Sequence, residues 1–376
     1  MKMENIFKDL KVIELASVLA GPSVGQFFAE LGAEVIKVEN PKTKGDVTRS
    51  WKSKGEKTDD VSAYFSSINW GKKSVLMDIT KDDELQLLYR LITGADIVIT
   101  SYKPGDDKKL GVDYDSIKKI NPNVIYGQIT GYGALADRVG YDAIIQAEAG
   151  FMNMNGEEGG EPLKMPVALM DLLAGHQLKE AMLVGYINFL KTGEGSYHQV
   201  SLIEAGLASL ANQATNFLVG GVEPKRKGSL HPNIAPYGEV FTTRDGKHII
   251  LAVGSDKQFD SLLNVLQIES SPLFATNVLR VENRAGLYSL LNGKISQLDS
   301  ESLINSLIEL NIPAGLVNKV SEAIDSYGQF IKLVSDSNIT GIKTFVANSA
   351  LNKNNSHISP PPHLGQHTDE ILYNLG

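Results

Sequence analysis

The sequence predicts an α/β protein: a large domain built on a doubly wound parallel sheet, then a smaller α+β domain. Three observations carry that expectation. Over the first 130 residues, short β-branched runs alternate with segments of helical apolar spacing. The polar stretch Gly221–Ser229, with Lys225-Arg226-Lys227 and Gly228, then interrupts the chain as a hinge. Beyond it a hairpin pattern replaces the alternation. The expected division is 1–220 for the large domain, 221–326 for the small one, and 327–376 for a further segment.

Lys11–Leu15 is the first expected strand and Ala16–Pro22 its turn; Pro22 suits the start of a helix, and Val24, Phe27, Phe28 and Leu31 follow at helical spacing. Gly32 closes that helix and Glu34–Glu39 is the second strand. Such a βαβ unit requires a parallel sheet covered on both faces. The pattern recurs with strands at Lys73–Asp78, Ala95–Thr100 and Val124–Ile129, and helices at Asp83–Leu91 and Asp115–Asn121. Leu172–Phe189 and Ser201–Leu218 read as two long helices with a short strand near Val200 between them. In the second domain, Val240–Thr243 and His248–Val253 flank an Asp245-Gly246 turn. Helices near Asp256–Leu266, Arg284–Leu291 and Ser300–Leu310, a strand at Ala314–Val317, an Asn-rich loop (Asn352, Asn354, Asn355) and a helix from Thr368 complete the chain.

Composition excludes several function classes. Hydrophobic residues make up 42% and charged residues 21% of 376, ordinary values for a folded globular chain. The formal net charge is −8, and residues 1–119 balance 19 basic against 19 acidic side chains, so no long cationic face is offered to nucleic acid. No apolar run reaches the roughly 18–20 residues of a membrane span, and Met1–Leu10 has no signal-peptide pattern. With no Cys there is neither a disulfide framework nor a thiol nucleophile, which makes a reducing cytoplasm the expected compartment. No His pairs with a carboxylate at metal-site spacing, so no metal is expected.

Two places invite chemistry. Ala20-Gly21-Pro22 lies between strand and helix, where open α/β sheets bind ligands and helix N–H groups suit anions or polarised oxygens. Gly-x-Gly-x-x-Gly is absent, so Glu39 at the second strand's end does not signal a dinucleotide. Asp171, just after Pro166–Met170, reads either as a helix N-cap or as a carboxylate kept ionised at a helix start, able to attack an activated acyl group. Tyr141-Asp142 is a generic pair by itself. No His precedes His176, so acid–base chemistry in the first half falls to carboxylates, Lys or Tyr; His176 and His231 are the candidates among the seven histidines.

Taken in order, the motifs resemble the class III CoA-transferase family (CaiB/BaiF type), which also holds formyl-CoA transferase, carnitine CoA-transferase and α-methylacyl-CoA racemase. The resemblance runs nearly end to end. Its main pieces are Lys11–Leu15, Ala20-Gly21-Pro22, Leu31–Glu39, Gly45-Asp46 with Arg49, Asn69 through Gly71–Ser74 to Asp78, and Pro104-Gly105. It continues through Asn121-Pro122, Gly131-Tyr132-Gly133, Asp171 with Gly175, Thr192–Gly195, His231-Pro232, Asp245-Gly246, Ile312–Gly315 and Leu364-Gly365.

The resemblance implies a Rossmann-like large domain, coenzyme A as the acyl carrier, and an interlocked homodimer in which residues after about Tyr327 return to the large domain. Asp171 matches the catalytic aspartate, which attacks the acyl-CoA thioester to form a mixed anhydride and then an aspartyl-CoA thioester. Val18, Leu19 and Ala20 match the backbone against CoA and the acyl group; Leu19 replaces the Gln of oxalate-handling members, which points away from oxalate. Asn40 replaces an Arg that some members use for the phosphates, so those contacts fall to Lys37, Lys72, Lys73, Lys103 or Lys109. Ser101-Tyr102-Lys103 replaces the more usual Asn-Phe-Arg, with Tyr102 near adenine or the pantetheine arm. Trp51 and Asp142 match positions lining the acyl pocket, and His231 is a further substrate-side candidate. The racemases carry His where Tyr141 stands, and a Tyr of ordinary pKa about 10 is a poor base near neutrality compared with a His near 6.5. A carboxylate CoA-transferase is therefore favoured, the donor being succinyl-CoA or a similar thioester. Racemase and non-catalytic CoA-binding alternatives stay open.

Overall fold

The computed structural model describes residues 6–133, 136, 138–335, 339–346 and 358–375; the Asn352–Asn355 loop lies outside them. They form two compact units, one of Met1–Phe151, Lys164–Val222 and Gln329–Gly376, the other of Met152–Leu163 and Glu223–Gly328. Met152–Leu163 goes with the second unit because Gly228 N donates to Gly156 O (2.8 Å) and Arg226 Nη1 to Asn153 O (2.9 Å).

The first unit begins with β1 (Lys11–Leu15), α1 (Ala20–Glu30), β2 (Glu34–Glu39), β3 (Lys72–Leu76), α2 (Asp82–Thr93) and β4 (Ile97–Thr100). It continues through α3 (Tyr114–Ile120), β5 (Ile125–Thr130), α4 (Asp142–Glu148), α5 (Leu169–Thr192), β6 (Ser196–Ser201), α6 (Leu202–Ala208) and α7 (Asn212–Leu218). All six strands pair in parallel, in the order β3-β2-β1-β4-β5-β6. The order reverses between β1 and β4, which opens a crevice at their carboxyl ends. β-Alternation splits the core: Val12, Ile97 and Ile99 pack with α1 and α5 on one face, while Ile13, Ile36 and Val98 pack with α2 and α3 on the other. A side chain buried as fully as Phe28 or Leu88 contributes about 1.5–3 kcal/mol.

Most sequence expectations hold within a few residues. Two differ in kind. The stretch near Val200 is a full sixth strand, its register running from Ser196 against Ile125 to Ser201 against Thr130. The single helix expected over Ser201–Leu218 breaks in two at Ala211, whose φ is +50°. No Gly or Pro marks that break, and continuous apolar spacing hides it.

The outer edge of β3 is closed by the far end of the chain. Ser74 N donates to His367 Nδ1 (3.2 Å) and Leu76 N to Thr368 Oγ1 (3.0 Å), while Ser74 O accepts from His367 N (2.9 Å) and Gly71 N donates to Ser359 O (2.8 Å). A final helix, Thr368–Tyr373, follows, with Ile371 in the core.

The second unit carries an antiparallel sheet of Tyr237–Thr242, His248–Ala252 and Ala314–Leu316. Helices Asp256–Val265, Arg284–Ile295 and Ser300–Glu309 cover it around Phe241, Ile249, Leu251, Leu262, Leu291 and Leu307. Asp245 ties its hairpin turn to the last of these helices by accepting from Ser300 N (3.1 Å) and Ser300 Oγ (2.7 Å).

Candidate active site

A cavity of about 170 Å³ opens where the carboxyl ends of β1, β4 and β5 meet the start of α5. Ser17–Ala20, Ser101–Lys103, Ile129–Gly131, Arg138–Tyr141 and Asp171 line it. A second cavity of about 430 Å³ lies over β1, β2 and the Asn40–Val47 loop and shares Ser17 and Tyr102 with the first. The two cavities are therefore neighbours that meet at Ser17 and Tyr102, with Asp171 in the wall of the smaller one.

Asp171 is the third residue of α5, not its N-cap; Ala168 holds that place without a side-chain bond. What fixes the helix start is α4. Asp142 Oδ1 accepts from Met170 N (2.9 Å), its Oδ2 accepts from Gln146 Nε2 (2.8 Å), and Gln146 Oε1 accepts from Met165 N (2.7 Å). Asp171 is 8% exposed, and among the described residues nothing hydrogen-bonds or ion-pairs with its carboxylate. Burial, and secondarily the Asp142 carboxylate, push its pKa up to about 7. That differs from the expectation of a carboxylate kept ionised at a helix start: burial and the neighbouring Asp142 both favour its protonated form.

The turn facing Asp171 is held in an uncommon conformation. Val18 has φ +72°, a region costly for a β-branched residue. Its N–H points to both carboxylate oxygens of Asp46, at 3.3 and 3.2 Å. Ser17 N donates to Ser101 Oγ (3.1 Å). Leu19, at the N-cap of α1, makes no side-chain cap bond, so the helix's first N–H groups are left to whatever enters the cavity. Gly175 lets the two helices meet here: a Cβ on it would fall 2.4 Å from Ser23 Oγ and 3.0 Å from Ala20 O.

Three of the lysines expected at phosphates are engaged in ion pairs within the chain. Lys37 is fully buried, its Nζ 2.9 Å from Glu14, 2.9 Å from Asp46 and 2.7 Å from Ala16 O. Burial alone would lower its pKa, but Asp46 and then Glu14 more than offset that and keep it charged. Lys72 is buried against Glu14 (2.8 Å), and desolvation pulls it down to about 8 despite that partner. Lys73, near the amino end of β3 and so at the sheet's other end, pairs with Glu34 and Glu370, both at 2.9 Å. Glu14 fits in this interior because Gly25 of α1 has no Cβ; one would sit 1.8 Å from its Oε2.

The other candidates are spread more widely. Ser101, Tyr102 and Lys103 line the cavity, and Tyr102 also faces the larger chamber, where burial raises its hydroxyl pKa to about 12. Lys109 is exposed and pairs with Asp106 at 3.0 Å. Tyr141 lines the cavity and is 59% exposed. Trp51 packs edge-on against Tyr64, ring centroids 5.2 Å apart. Tyr64 was not singled out by sequence, since nothing in Val61–Phe65 marks it; burial, then Asp171 and Asp142, raise its pKa to about 12. His231 belongs to the second unit, its ring on Tyr237 (5.0 Å) and its Nδ1 accepting from Asn233 N (3.1 Å), and His176 is exposed on α5.

Among the described residues one trio has metal-ligand spacing, Asp59, Asp60 and His363. It lines neither cavity, and Asp60 is already engaged by His363 (2.7 Å) and Arg49 (3.5 Å). Among the described residues no helix is long and apolar enough to cross a membrane.

Parallel sheet and switch-point crevice define a Rossmann-like α/β protein, with the buried Asp171 carboxylate in the wall of its cavity. Comparison with known proteins narrows this. The family model for CoA-transferase family III matches residues 7–368, and the chain belongs to that family. It is 36% identical to the succinate–glutarate CoA-transferase of Agrobacterium fabrum, over 97% of this chain and 94% of that protein. It is 33% identical to the human succinyl-CoA:glutarate CoA-transferase, over 98% and 86% respectively. A CaiB/BaiF family protein from Brucella suis superposes with a TM-score of 0.85 at 37% identity, covering 99% of this chain and all of the other. The chain is thus a family III CoA-transferase using CoA thioesters as substrates.

Proposed function

We propose that this chain moves CoA between carboxylic acids with Asp171 as nucleophile, and that its acids are dicarboxylates of about succinate or glutarate size. The observation that carries this is the buried Asp171 carboxylate, without a partner among the described residues, in the wall of the smaller cavity. CoA's nucleotide would occupy the larger chamber, and its thioester would pass Ser17 and Tyr102 to reach Asp171. The choice of acids rests on the relatives, named for succinate and glutarate.

In the first half-reaction an Asp171 oxygen attacks the thioester carbonyl carbon, the C–S bond breaks, and CoA leaves as thiolate from an acyl-aspartyl anhydride. The thiolate then attacks the aspartyl carbonyl carbon, releasing the donor acid as carboxylate and leaving Asp171 as a CoA thioester. The acceptor carboxylate repeats the sequence in reverse, regenerating Asp171 and leaving as acyl-CoA. Each tetrahedral oxyanion is stabilised by N–H groups at the start of α1, which lack a side-chain cap. The low polarity that raises the Asp171 pKa also makes its ionised form a less solvated, stronger nucleophile.

The test is mass spectrometry of protein mixed briefly with succinyl-CoA and quenched with hydroxylamine or borohydride. A mass change confined to the Asp171 peptide, absent in Asp171→Ala, is the expected result. No modification, with α-hydrogen exchange in deuterated water instead, would move the activity to the racemase class. The working unit is read as a homodimer, since α5 leaves Val184, Ile187 and Leu190 exposed at helical spacing.

A further inference from the structure

The cavity wall contains two cationic side chains, Lys103 and Arg138, and only the arginine offers a rigid planar fork. Its guanidinium is held on one face and at one end. It lies over the Tyr132 ring, 4.4 Å from the centroid. Its Nη1 donates to Glu148 Oε2 (3.0 Å), its Nη2 donates to Glu148 Oε1, and Tyr132 OH donates to Glu148 Oε2 (2.7 Å). Glu148 thus takes the end of the fork, and among the described residues the side edge at Nε carries no bond. An arginine can serve two carboxylates, one end-on and one side-on. Nothing in the transfer chemistry at Asp171 calls for a guanidinium: the reacting carboxylate and the thioester need a nucleophile and N–H donors. A braced guanidinium on the same wall as Asp171 and Tyr141 suits a second negative charge.

We infer that Arg138 is a specificity-determining residue that binds the distal carboxylate of a dicarboxylic acyl group or acceptor through its Nε edge, with Tyr132 and Glu148 as positioning residues. This rests on the transferase reading above and deepens it. It explains how one chamber can accept both donor and acceptor acids while discriminating against monocarboxylates, which would leave the fork without a partner.

The experiment compares glutarate with butyrate as acceptors from succinyl-CoA, in wild type, Arg138→Gln and Arg138→Lys. The ratio of kcat/KM for glutarate over butyrate is expected to fall about 10–100-fold in Arg138→Gln and less in Arg138→Lys, which keeps charge but loses the fork. Affinity for free CoA, by calorimetry, is expected to stay within about three-fold, which separates a carboxylate of the acid from a phosphate of CoA as the anion bound. A ratio that does not change, or a CoA affinity that falls as much as glutarate efficiency, overturns the inference. Glu148 is solvent-exposed, so its loss of a partner costs little stability. If wild type transfers CoA to no acid at all, the transferase reading falls. Arg138 is then judged by thermal protection: glutarate protecting better than butyrate, an advantage lost in Arg138→Gln, sustains it, and equal protection overturns it.

Discussion

At the scale of the residue, Asp171 is the group whose chemistry and stability conflict. Its carboxyl titrates near 7 in the folded chain against about 4 when unfolded. The native state therefore keeps a proton that the unfolded chain has lost, and stability falls as pH rises from about 4 to about 7, then levels off. Asp171→Asn does not titrate. Its melting temperature is expected to exceed wild type by a margin that widens over that interval and stays constant above it; scanning calorimetry from pH 4 to 9 reads this. A margin independent of pH would show that the Asp171 carboxyl titrates alike in the folded and unfolded chain. In the active enzyme the same titration predicts a kcat/KM limb that falls below about pH 7, because only the ionised form attacks.

A second prediction at this scale concerns Val18, which Asp46 holds at positive φ. Asp46→Ala is expected to lower kcat by about 10-fold or more, and adding Val18→Gly should restore part of it, since glycine adopts that conformation without strain. Steady-state kinetics on the single and double variants measure the effect.

How much of the site was legible follows from the residues themselves. Asp171 stood out because an acid follows an apolar run at a helix start. The burial of Lys37 and Lys72 was not legible, because a strand sequence does not tell which charges face inward. Their signal was present but non-local: Glu14 lies opposite Lys37 across β1 and β2, and Lys72 reaches the same acid from β3. Arg138 and Tyr64 carried no local mark.

At the scale of the element, the decisive contact is α1 against α5. Their starts converge at Gly175, and that convergence places Asp171 beside Leu19 and Ala20. Gly175→Ala forces a Cβ against Ser23 Oγ and Ala20 O. We expect a stability loss of about 1–3 kcal/mol and a kcat loss of up to about 100-fold as Asp171 shifts. Ser23→Ala in that background should recover stability partly, because it removes only the side-chain half of the clash; denaturant melts and kcat report both. The alternation of strands and helices made most of these elements readable. The break at Ala211 was not, because tertiary context set it where local propensity was satisfied either way.

At the scale of the molecule, the apolar flank of α5 predicts association. Light scattering is expected to show a two-chain particle, and charge placed by Ile187→Asp should shift it toward one chain; an unshifted two-chain particle would put the interface elsewhere. The sequence showed where composition changes, at Gly221–Ser229, but not that Met152–Leu163 crosses into the second unit, since that depends on contacts with residues about 70 positions away.

The cover over β3 has a consequence for how the protein is made. Six strands of the sheet are complete once Ser201 has emerged, yet the groups on the free edge of β3 find their partners only in residues 359–368. At about 5–20 residues per second, that edge stays open for roughly 15–60 s of synthesis after Leu76 appears. Throughout that interval the nascent chain presents a ready template for strand addition, so folding helpers that shield exposed edges have most to do before release from the ribosome.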